Sequence, residues 1–318
     1  MDFHIFSLGS NGSLAEKIAR RLGVSLGTIN LQTFSDGEQY VQFGENLRGK
    51  HVFLVQSTNS PAENWVRLLL AIDAARGASA SEITAVIPYY GYARQDRKAR
   101  PREPISARVF AMALENLGAA RVVTMDLHND AIVGFFHRAI VDNLYARRVF
   151  VPHFREVFRD TIENDDFIVV SPDAGGVARA QSYAKRLMKR ADLAIIHKER
   201  EIPNQVTRMK LVGNVKDKIA LIPDDMVTTG GTLVKAAEIL IGDGAREVYA
   251  CATHGVLSGD VDKVLDQSPI KKLFITDTIS TQRQLSPKVQ VVSVGELFGE
   301  AIERIENGES ISALFETE

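Results

Sequence analysis

Short apolar segments rich in β-branched residues alternate with amphipathic segments along the whole chain. KHVFLVQS precedes ENWVRLLLAIDAARGA, and KIALIPDD precedes TLVKAAEILI, which has helical periodicity. Strand-like runs separated by helices of about 10–15 residues are typical of βαβ units. The alternation therefore predicts an α/β fold with mainly parallel sheets flanked by helices.

Two domains are expected from the length, because a domain usually contains roughly 100–200 residues and the chain has 318. We predict an N-terminal domain over residues 1–146 and a C-terminal domain over 147–304. Residues 305–318 form a segment that can pack on the N-terminal domain. No linker or change of composition marks the boundary.

The charge balance excludes some classes of partner. Lys and Arg total 38, Asp and Glu total 40, and the net charge is −2. General nucleic-acid binders usually have a marked basic excess, so we expect no nucleic-acid partner. A locally basic pocket for a small polyanion remains compatible with this composition.

Cysteine content and hydropathy indicate the compartment. The single cysteine, Cys251, excludes an intrachain disulfide and a cysteine-based metal site, and fits a reducing cytosol. The N-terminus has no signal-peptide pattern, and no stretch approaches 18 uninterrupted apolar residues. We therefore expect a cytoplasmic protein with no membrane association.

The stretch DDMVTTGGT combines two acids with a Thr/Gly-rich turn between a strand-like and a helix-like segment. The turn contains Thr228, Thr229, Gly230, Gly231 and Thr232. Backbone N–H groups of such a turn, together with the following helix N-terminus, bind phosphate oxygens. The carboxylates of Asp224 and Asp225 can accept hydrogen bonds from a diol or coordinate Mg²⁺. A phosphorylated sugar satisfies both parts; the alternative is an ordinary turn with an acidic cap.

A dense cationic loop follows the strand-like ITAVIP. It carries Arg94, Arg97, Lys98, Arg100 and Arg102 within nine positions. A solvated run of charge is the commoner interpretation of such a loop. Its place after a strand favours polyphosphate binding instead, because ligands in parallel sheets bind beyond the carboxyl ends of strands.

Other polar residues close further strand-like segments. His128 ends RVVTMDLH, and Asp173 ends FIVVSPD. A lone histidine is more often structural than a metal ligand, but the position at a strand end favours a ligand. Lys198 and Arg200, in IIHKEREIP, are expected beyond another strand, where exposed loop charge is the default interpretation.

These motifs together resemble the ribose-phosphate pyrophosphokinase family, and DDMVTTGGT resembles the phosphoribosyl-binding loop of type I phosphoribosyltransferases. The resemblance is colinear over nearly the full length. It runs through FSDGE at 34–38, ITAVIPYYGYARQDRK at 83–98, DLH at 126–128, GFF at 134–136, VDNLYA at 141–146, SPDAGGVARA at 171–180, ATHGVLSG at 252–259 and ESISALF at 309–315.

The resemblance implies two phosphoribosyltransferase-like domains and a specific reaction. Members transfer the diphosphoryl group of ATP to the anomeric hydroxyl of ribose 5-phosphate, with Mg²⁺, giving phosphoribosyl pyrophosphate and AMP. The implied ATP contacts are Phe34, Asp36, Gly37 and Glu38, in a loop that reaches a neighbouring subunit, and Arg94, Gln95 and Asp96. A homo-oligomer follows, by resemblance a hexamer built from dimers.

The remaining roles also follow from the resemblance. Lys198 and Arg200 match the catalytic loop, where a lysine and an arginine stabilise the transition state, and His128 and Asp173 match metal ligands. Independently of the resemblance, we expect Asp126 to orient His128 or to lie near it, because the two residues are two positions apart. The ribose 5-phosphate site comprises Arg200, Asp224, Asp225 and the turn from Thr228 to Thr232. The general base stays open between Asp224 and Asp225.

Several positions depart from the family pattern. Thr228 stands where the commonest loop, D-D-x-x-D-T-G-G-T, has a third acid. Ala131 and Val133 replace usual glutamines, and Glu199 replaces a common basic residue. We expect the phosphate loop to survive, with altered affinity or metal dependence. Arg48, Ser310 and Ser312 resemble parts of a phosphate and ADP regulatory site.

Two other functions compete with this one. A non-catalytic paralogue that binds nucleotide and regulates an active synthase is disfavoured, because the catalytic and metal positions are retained. A phosphoribosyltransferase that consumes phosphoribosyl pyrophosphate is disfavoured, because the N-terminal half carries ATP motifs and the double α/β pattern spans the full length.

Overall fold

A computed structural model describes residues 3–199 and 208–315 of the chain. Within them the strands are β1 Phe3–Ser7, β2 Ile29–Thr33, β3 Gln39–Phe43, β4 His51–Val55, β5 Glu82–Ile87, β6 Arg121–Met125, β7 Ile140–Leu144, β8 Phe167–Ser171, β9 Leu193–Glu199, β10 Arg208–Val212, β11 Ile219–Val227, β12 Glu247–Gly255, β13 Ile270–Thr276 and β14 Val289–Val292.

Helices follow most of these strands. The α-helices are α1 Gly12–Arg21, α2 Glu63–Gly77, α3 Ser106–Leu117, α4 Arg147–Val157, α5 Arg159–Glu163, α6 Val177–Leu187, α7 Gly231–Gly242, α8 Val261–Asp266 and α9 Gly295–Glu306. Short 3₁₀ helices span Asp130–Phe135 and Ile311–Leu314. None of the described helices is long and apolar enough to cross a membrane.

The described residues divide into two compact units. Unit 1 contains residues 3–146, 278–280 and 293–315, and unit 2 contains 147–199, 208–277 and 281–292. The predicted C-terminal domain extended to residue 304, whereas residues 293–304 group with unit 1. The reason is that α9 packs on α1, and Arg21 of α1 forms ion pairs with Glu296 and Glu303 of α9.

Unit 1 is built on a five-stranded sheet of order β1-β4-β5-β6-β7, in which all neighbours are parallel. Its core joins Val52, Ile83 and Val122 of adjacent strands to Leu68 of α2 and Leu114 of α3. Parallel strands covered by helices read as continuous apolar runs, which accounts for the apolar segments of the sequence. A separate antiparallel hairpin pairs β2 with β3.

Unit 2 is built on a seven-stranded sheet of order β10-β9-β8-β11-β12-β13-β14. All neighbours are parallel except β9 and β10, which pair antiparallel at one edge. Val170, Ala220 and Ala250 of the sheet pack with Leu233 and Leu240 of α7. The predicted α/β class, with mainly parallel sheets flanked by helices, is confirmed.

Candidate functional site

The Thr/Gly turn in unit 2 connects β11 to α7. Gly230 precedes the helix with φ +77°, a backbone conformation that favours glycine, and a Cβ there would lie 3.3 Å from Val261. Within the described residues no N-cap side chain bonds to the start of α7, and the first N–H groups of a helix have no partner inside the helix itself. The carbonyl oxygen of Thr228 accepts a hydrogen bond from the Ser258 N–H at 3.0 Å, which fixes the turn. The geometry is that of an anion-binding turn.

The two acids lie inside β11, not after it. The ladder with β12 continues through the pair Val227 and Gly255, so the strand extends past the residues where the apolar run ends. The Nη1 atom of Arg179, on the first turn of α6, lies 3.3 Å from Oδ1 of Asp224 and 3.4 Å from Oδ1 of Asp225. One guanidinium therefore pairs with both carboxylates.

The pKa of Asp224 is raised in this environment. Burial contributes most, followed by the hydrogen bond and the negative charge of Asp225, and together they raise the pKa to about 7 against the opposing charge of Arg179. The Asp225 N–H also donates to Oδ1 of Asp224 at 2.9 Å. The pKa of Asp224 therefore lies in the range in which a carboxylate can act as a general base near neutral pH.

Asp173 lies in the loop between β8 and α6 of the same unit. Its Oδ1 accepts hydrogen bonds from the N–H groups of Gly175 at 3.0 Å and Gly176 at 3.1 Å, and Ser171 Oγ donates to its carbonyl oxygen at 2.7 Å. These bonds fix the loop that leads to Arg179. Asp173 is half-buried.

Of the two predicted catalytic residues, Lys198 and Arg200, the structure describes the backbone position of the first. Lys198 belongs to β9, where it pairs with Met209 of β10, so the prediction that it lies beyond the strand is wrong. The antiparallel partner β10 extends the ladder further than the apolar run LAII suggests. Arg200 lies outside the described residues.

The cationic loop of unit 1 joins β5 to α3, and its basic side chains are exposed. Gln95 links the loop to the start of α3, because its side-chain oxygen accepts from the Ser106 hydroxyl and its carbonyl accepts from the Ala107 N–H at 3.3 Å. Arg94 and Gln95 are exposed and Asp96 is half-buried.

Asn129 joins this loop to the segment that carries His128. Its Nδ2 donates to Oδ2 of Asp96 at 2.7 Å, and its Oδ1 accepts from the Ala131 N–H at 3.0 Å, which caps the 3₁₀ helix. His128 itself is exposed. Asp126 Oδ2 accepts from the Ala146 N–H at 3.0 Å, so the expected orienting carboxylate also fixes the segment after β7.

The far end of the same 3₁₀ helix is held by a buried carboxylate. Glu115 Oε1 accepts from the N–H groups of His137, Arg138 and Ala139 at 2.8, 2.6 and 2.8 Å. Burial raises the pKa of Glu115, but the three N–H groups and the charge of Arg138 outweigh it and hold the pKa below its usual value. Glu115 therefore anchors the segment as an anion.

The FSDGE segment is the loop of the β2–β3 hairpin in unit 1. Phe34 and Glu38 close it through a backbone bond of 2.8 Å, Gly37 has φ +95°, and Asp36 Oδ1 accepts from the Glu38 N–H at 3.1 Å. Phe34 is 49% exposed. An exposed phenylalanine on a hairpin loop offers a face for a planar ligand.

Two residues with a direct place in these sites were not assigned from the sequence. Arg179 contacts carboxylates 45 and 46 positions away, and Asn129 contacts Asp96 33 positions away. Arg179 lies in SPDAGGVARA, so its place in a strand-end motif was the available signal. No local signal identified Asn129 as a partner of the cationic loop.

Two family profiles match the chain. One describes the N-terminal domain of ribose phosphate pyrophosphokinase and matches residues 3–118, and the other describes the phosphoribosyl synthetase-associated domain and matches residues 200–316. Together they cover more than half of the sequence.

Individual relatives match over nearly the whole length. A ribose-phosphate pyrophosphokinase from Caldanaerobacter subterraneus is 50% identical over 98% of this chain and 97% of its own. Ribose-phosphate pyrophosphokinase 1 from Listeria monocytogenes is 47% identical over 98% and 96%. The crystal structure of phosphoribosylpyrophosphate synthetase from Mycobacterium smegmatis superposes with a TM-score of 0.90 at 36% identity, covering 97% of this chain and all of that one. The chain belongs to the ribose-phosphate pyrophosphokinase family.

Proposed function

We propose that this chain transfers the diphosphoryl group of ATP to the anomeric hydroxyl of ribose 5-phosphate, giving phosphoribosyl pyrophosphate and AMP for nucleotide biosynthesis. The observation that carries the proposal is the uncapped start of α7 beside the pair Asp224 and Asp225. N–H donors for a phosphate and carboxylate acceptors for a diol are adjacent there, as a phosphorylated sugar requires.

Ribose 5-phosphate is assigned to unit 2. The N–H groups and hydroxyls from Thr228 to Thr232 would bind the 5-phosphate, and the two carboxylates would accept hydrogen bonds from the sugar hydroxyls. Arg179 holds both carboxylates in place. With Thr228 in place of the third acid of the common family loop, the turn has one negative charge fewer next to the phosphate. The turn therefore retains the chemistry of an anion site.

ATP is assigned to loops of unit 1. Arg94 and neighbouring cations would neutralise the polyphosphate, while Gln95 and Asp96 are fixed by Ser106 and Asn129 and would meet the nucleotide in a set geometry. The hairpin residues Phe34, Asp36, Gly37 and Glu38 would bind the base and ribose of ATP on a neighbouring subunit. This arrangement requires a homo-oligomer, which we propose to be a hexamer built from dimers.

The family uses divalent metal ions, and we propose Mg²⁺. Among residues 3–199 and 208–315, no group of three or more His, Cys, Asp and Glu side chains could hold a metal by itself. Mg²⁺ needs no such group, because it usually takes one or two carboxylates together with substrate phosphates and waters. The oxygen donor of Asp173 suits it, and His128 is the second proposed ligand. When bound, the ion neutralises charge on the phosphate oxygens.

The transfer itself requires a nucleophile and a stabilised leaving group. The anomeric oxygen forms a bond to the β-phosphorus, the bond between that phosphorus and the α,β-bridging oxygen breaks, and AMP leaves. Asp224, with a pKa of about 7, is suited to accept the anomeric proton. Lys198 and Arg200 would stabilise the charge on the phosphoryl oxygens, as the matching family positions do.

A direct assay tests the proposal. The purified chain is incubated with ATP, ribose 5-phosphate and Mg²⁺, with and without inorganic phosphate, and AMP is measured by chromatography. We expect AMP to form only when ribose 5-phosphate is present. Lys198→Ala should abolish turnover and leave ATP affinity within about twofold, because its charge acts on the transition state.

The same assay distinguishes the regulatory alternative. A non-catalytic paralogue would bind ATP, form no AMP alone, and change the rate of an active synthase when mixed with it. Absence of AMP from folded, ATP-binding protein, with phosphate added, would contradict the proposed reaction. We place the activity in the cytoplasm, where both substrates and a reducing environment for Cys251 are available.

A further inference from the structure

A groove on unit 2 lies apart from the residues assigned to substrates. One wall is the face of α4 and α5 that carries Arg155 and Arg159. The other wall is the end of α6, with Lys185, and the two residues that follow the helix, Met188 and Lys189. Its volume is about 660 Å³. Pockets of roughly 300–1,000 Å³ accommodate small-molecule ligands.

The groove concentrates positive charge on a chain whose net charge is −2. Arg186 joins the four basic residues of the two walls, and the acidic residues of the lining are Glu156 and Glu163, which leaves a surplus of three positive charges. The pKa of Arg186 is lowered, first by burial and then by the charge of Arg147. Crowded cations of this kind attract anions.

Three of the five cations, Arg155, Arg186 and Lys189, make hydrogen bonds within the fold, and two do not. Arg155 donates to the Arg186 carbonyl from Nε at 3.2 Å and from Nη2 at 2.7 Å, and Lys189 Nζ donates to the Glu163 carbonyl at 3.4 Å. A cation near a helix C-terminus stabilises the helix through its interaction with the last carbonyl groups, so these contacts need no ligand to explain them. In the part of the chain that the structure describes, the side chains of Arg159 and Lys185 make no hydrogen bond or ion pair. They are available to a ligand.

The lining also has apolar parts. Pro152 and Ile162 lie on the helical wall at the same face as the cations, and Leu187 and Met188 lie opposite. Pro152 lies three residues before Arg155 in α4, and Ile162 lies three residues after Arg159 in α5. Each apolar residue therefore shares a helix face with a cation. Cations beside an apolar floor suit a ligand that has both a phosphate chain and a planar or apolar part.

We propose that this groove binds a compact di- or triphosphate group, alone or as part of a nucleotide, at a site distinct from the active site. Arg159 and Lys185 are the principal phosphate contacts, and Arg155 and Lys189 complete the positive rim. The thioether of Met188 adjoins the non-phosphate part of the ligand, because polarisable sulfur packs well on planar rings. None of these residues has a place in the proposed catalytic machinery.

The test uses a signal inside the groove. The full chain contains six methionines, and ¹³C-methyl labelling gives each a separate NMR reporter; Met188→Leu identifies the signal of Met188. Pyrophosphate and ADP are titrated separately, without ribose 5-phosphate. Met226 lies between Asp225 and Val227 in β11, so its signal reports binding at the active site during the same titration.

We expect a saturable shift of the Met188 signal with both probes. Equal affinities would show that the phosphate chain alone is recognised, and tighter binding of ADP would show that the nucleoside also enters the groove. Absence of a Met188 shift at millimolar concentrations of both probes would overturn the proposal.

Variants supply the second arm. Arg159→Ala with Lys185→Ala should weaken the Met188 response at least tenfold and leave the Met226 response and the turnover unchanged. The control variant Lys263→Ala removes an exposed lysine from α8 of the same unit. It should leave the Met188 response, the Met226 response and the turnover unchanged. Arg159→Gln alone provides the milder test if the double variant is unstable. An unchanged Met188 titration in a folded Arg159 and Lys185 variant would also overturn the proposal.

Discussion

Asp224 should reduce the stability of the chain without ligands at neutral and alkaline pH. Its pKa in the folded chain is raised from 3.8 to about 7, because burial and Asp225 disfavour its ionised form. Between those pH values the folded state binds a proton that the unfolded state has released. Stability from this group is therefore fully present below pH 3.8 and is lost as the pH rises through 7. Asp224→Asn removes the dependence and should stabilise the chain at high pH.

The magnitude follows from the shift. One pKa unit corresponds to about 1.4 kcal/mol, so the cost of full ionisation is on the order of 4 kcal/mol, shared with Asp225 as a coupled pair. Linkage places about 2 kcal/mol of this between pH ~5.5 and pH ~8. For a unit of this size 1 kcal/mol corresponds to roughly 2–4 °C in melting temperature. The advantage of the variant should therefore grow by about 4–8 °C over that range.

Scanning calorimetry of both proteins at the two pH values, at one protein concentration and with EDTA, measures this difference. Asp243→Asn is the control, because it removes an exposed carboxylate from the end of α7 in the same unit. Its gap to the wild type should stay constant. A gap for Asp224→Asn that is constant or shrinks as the pH rises would refute the assignment of a raised pKa to Asp224.

Three further predictions concern the other sites. Asn129→Ala removes the 2.7 Å hydrogen bond to Asp96, which is worth about 1 kcal/mol. Steady-state kinetics should therefore show the KM for ATP raised about fivefold and the KM for ribose 5-phosphate unchanged. The control variant Asn307→Ala should alter neither KM. Glu115→Gln should lower the free energy of unfolding by about 1–2 kcal/mol at neutral pH. Because the pKa of Glu115 is depressed in the folded chain, calorimetry should find this loss shrinking as the pH falls through that pKa. A loss independent of pH would contradict the depressed pKa. Thr228→Asp adds a carboxylate to the phosphate turn, so calorimetric titration should show weaker ribose 5-phosphate binding at low Mg²⁺ that recovers as the Mg²⁺ concentration rises. Thr228→Asn, which lacks the charge, should bind as the wild type does. Equal binding by all three proteins would show position 228 to be neutral.

The elements of the fold could be predicted from the sequence because their signals are local. Apolar runs such as FIVVS of β8 are buried along their length, and the Thr/Gly turn has the glycine that its positive φ requires. Strand ends were less predictable, since they depend on a partner strand. β11 continues through Asp224 and Asp225 because β12 pairs with it there, and β9 includes Lys198 because β10 pairs with it.

Contacts between distant segments could not be predicted from local patterns. Arg179 reaches the acid pair because α6 and β11 lie side by side in unit 2, and the sequence contains no measure of that proximity. Asn129 meets Asp96 for a comparable reason in unit 1. The raised pKa of Asp224 depends on its burial and on the neighbouring Asp225 carboxylate, against the opposing charge of Arg179. Burial of a single side chain cannot be inferred from a local sequence pattern.

Phosphorus NMR of the complete reaction tests the central claim most directly. The chain is mixed with ATP, ribose 5-phosphate and Mg²⁺, and the ³¹P signals are followed until ATP is consumed. Diphosphoryl transfer predicts AMP and phosphoribosyl pyrophosphate in equal amounts, with two coupled signals from the new diphosphate on the sugar. Formation of ADP with a singly phosphorylated anomeric position, or free phosphate without a sugar product, would contradict it.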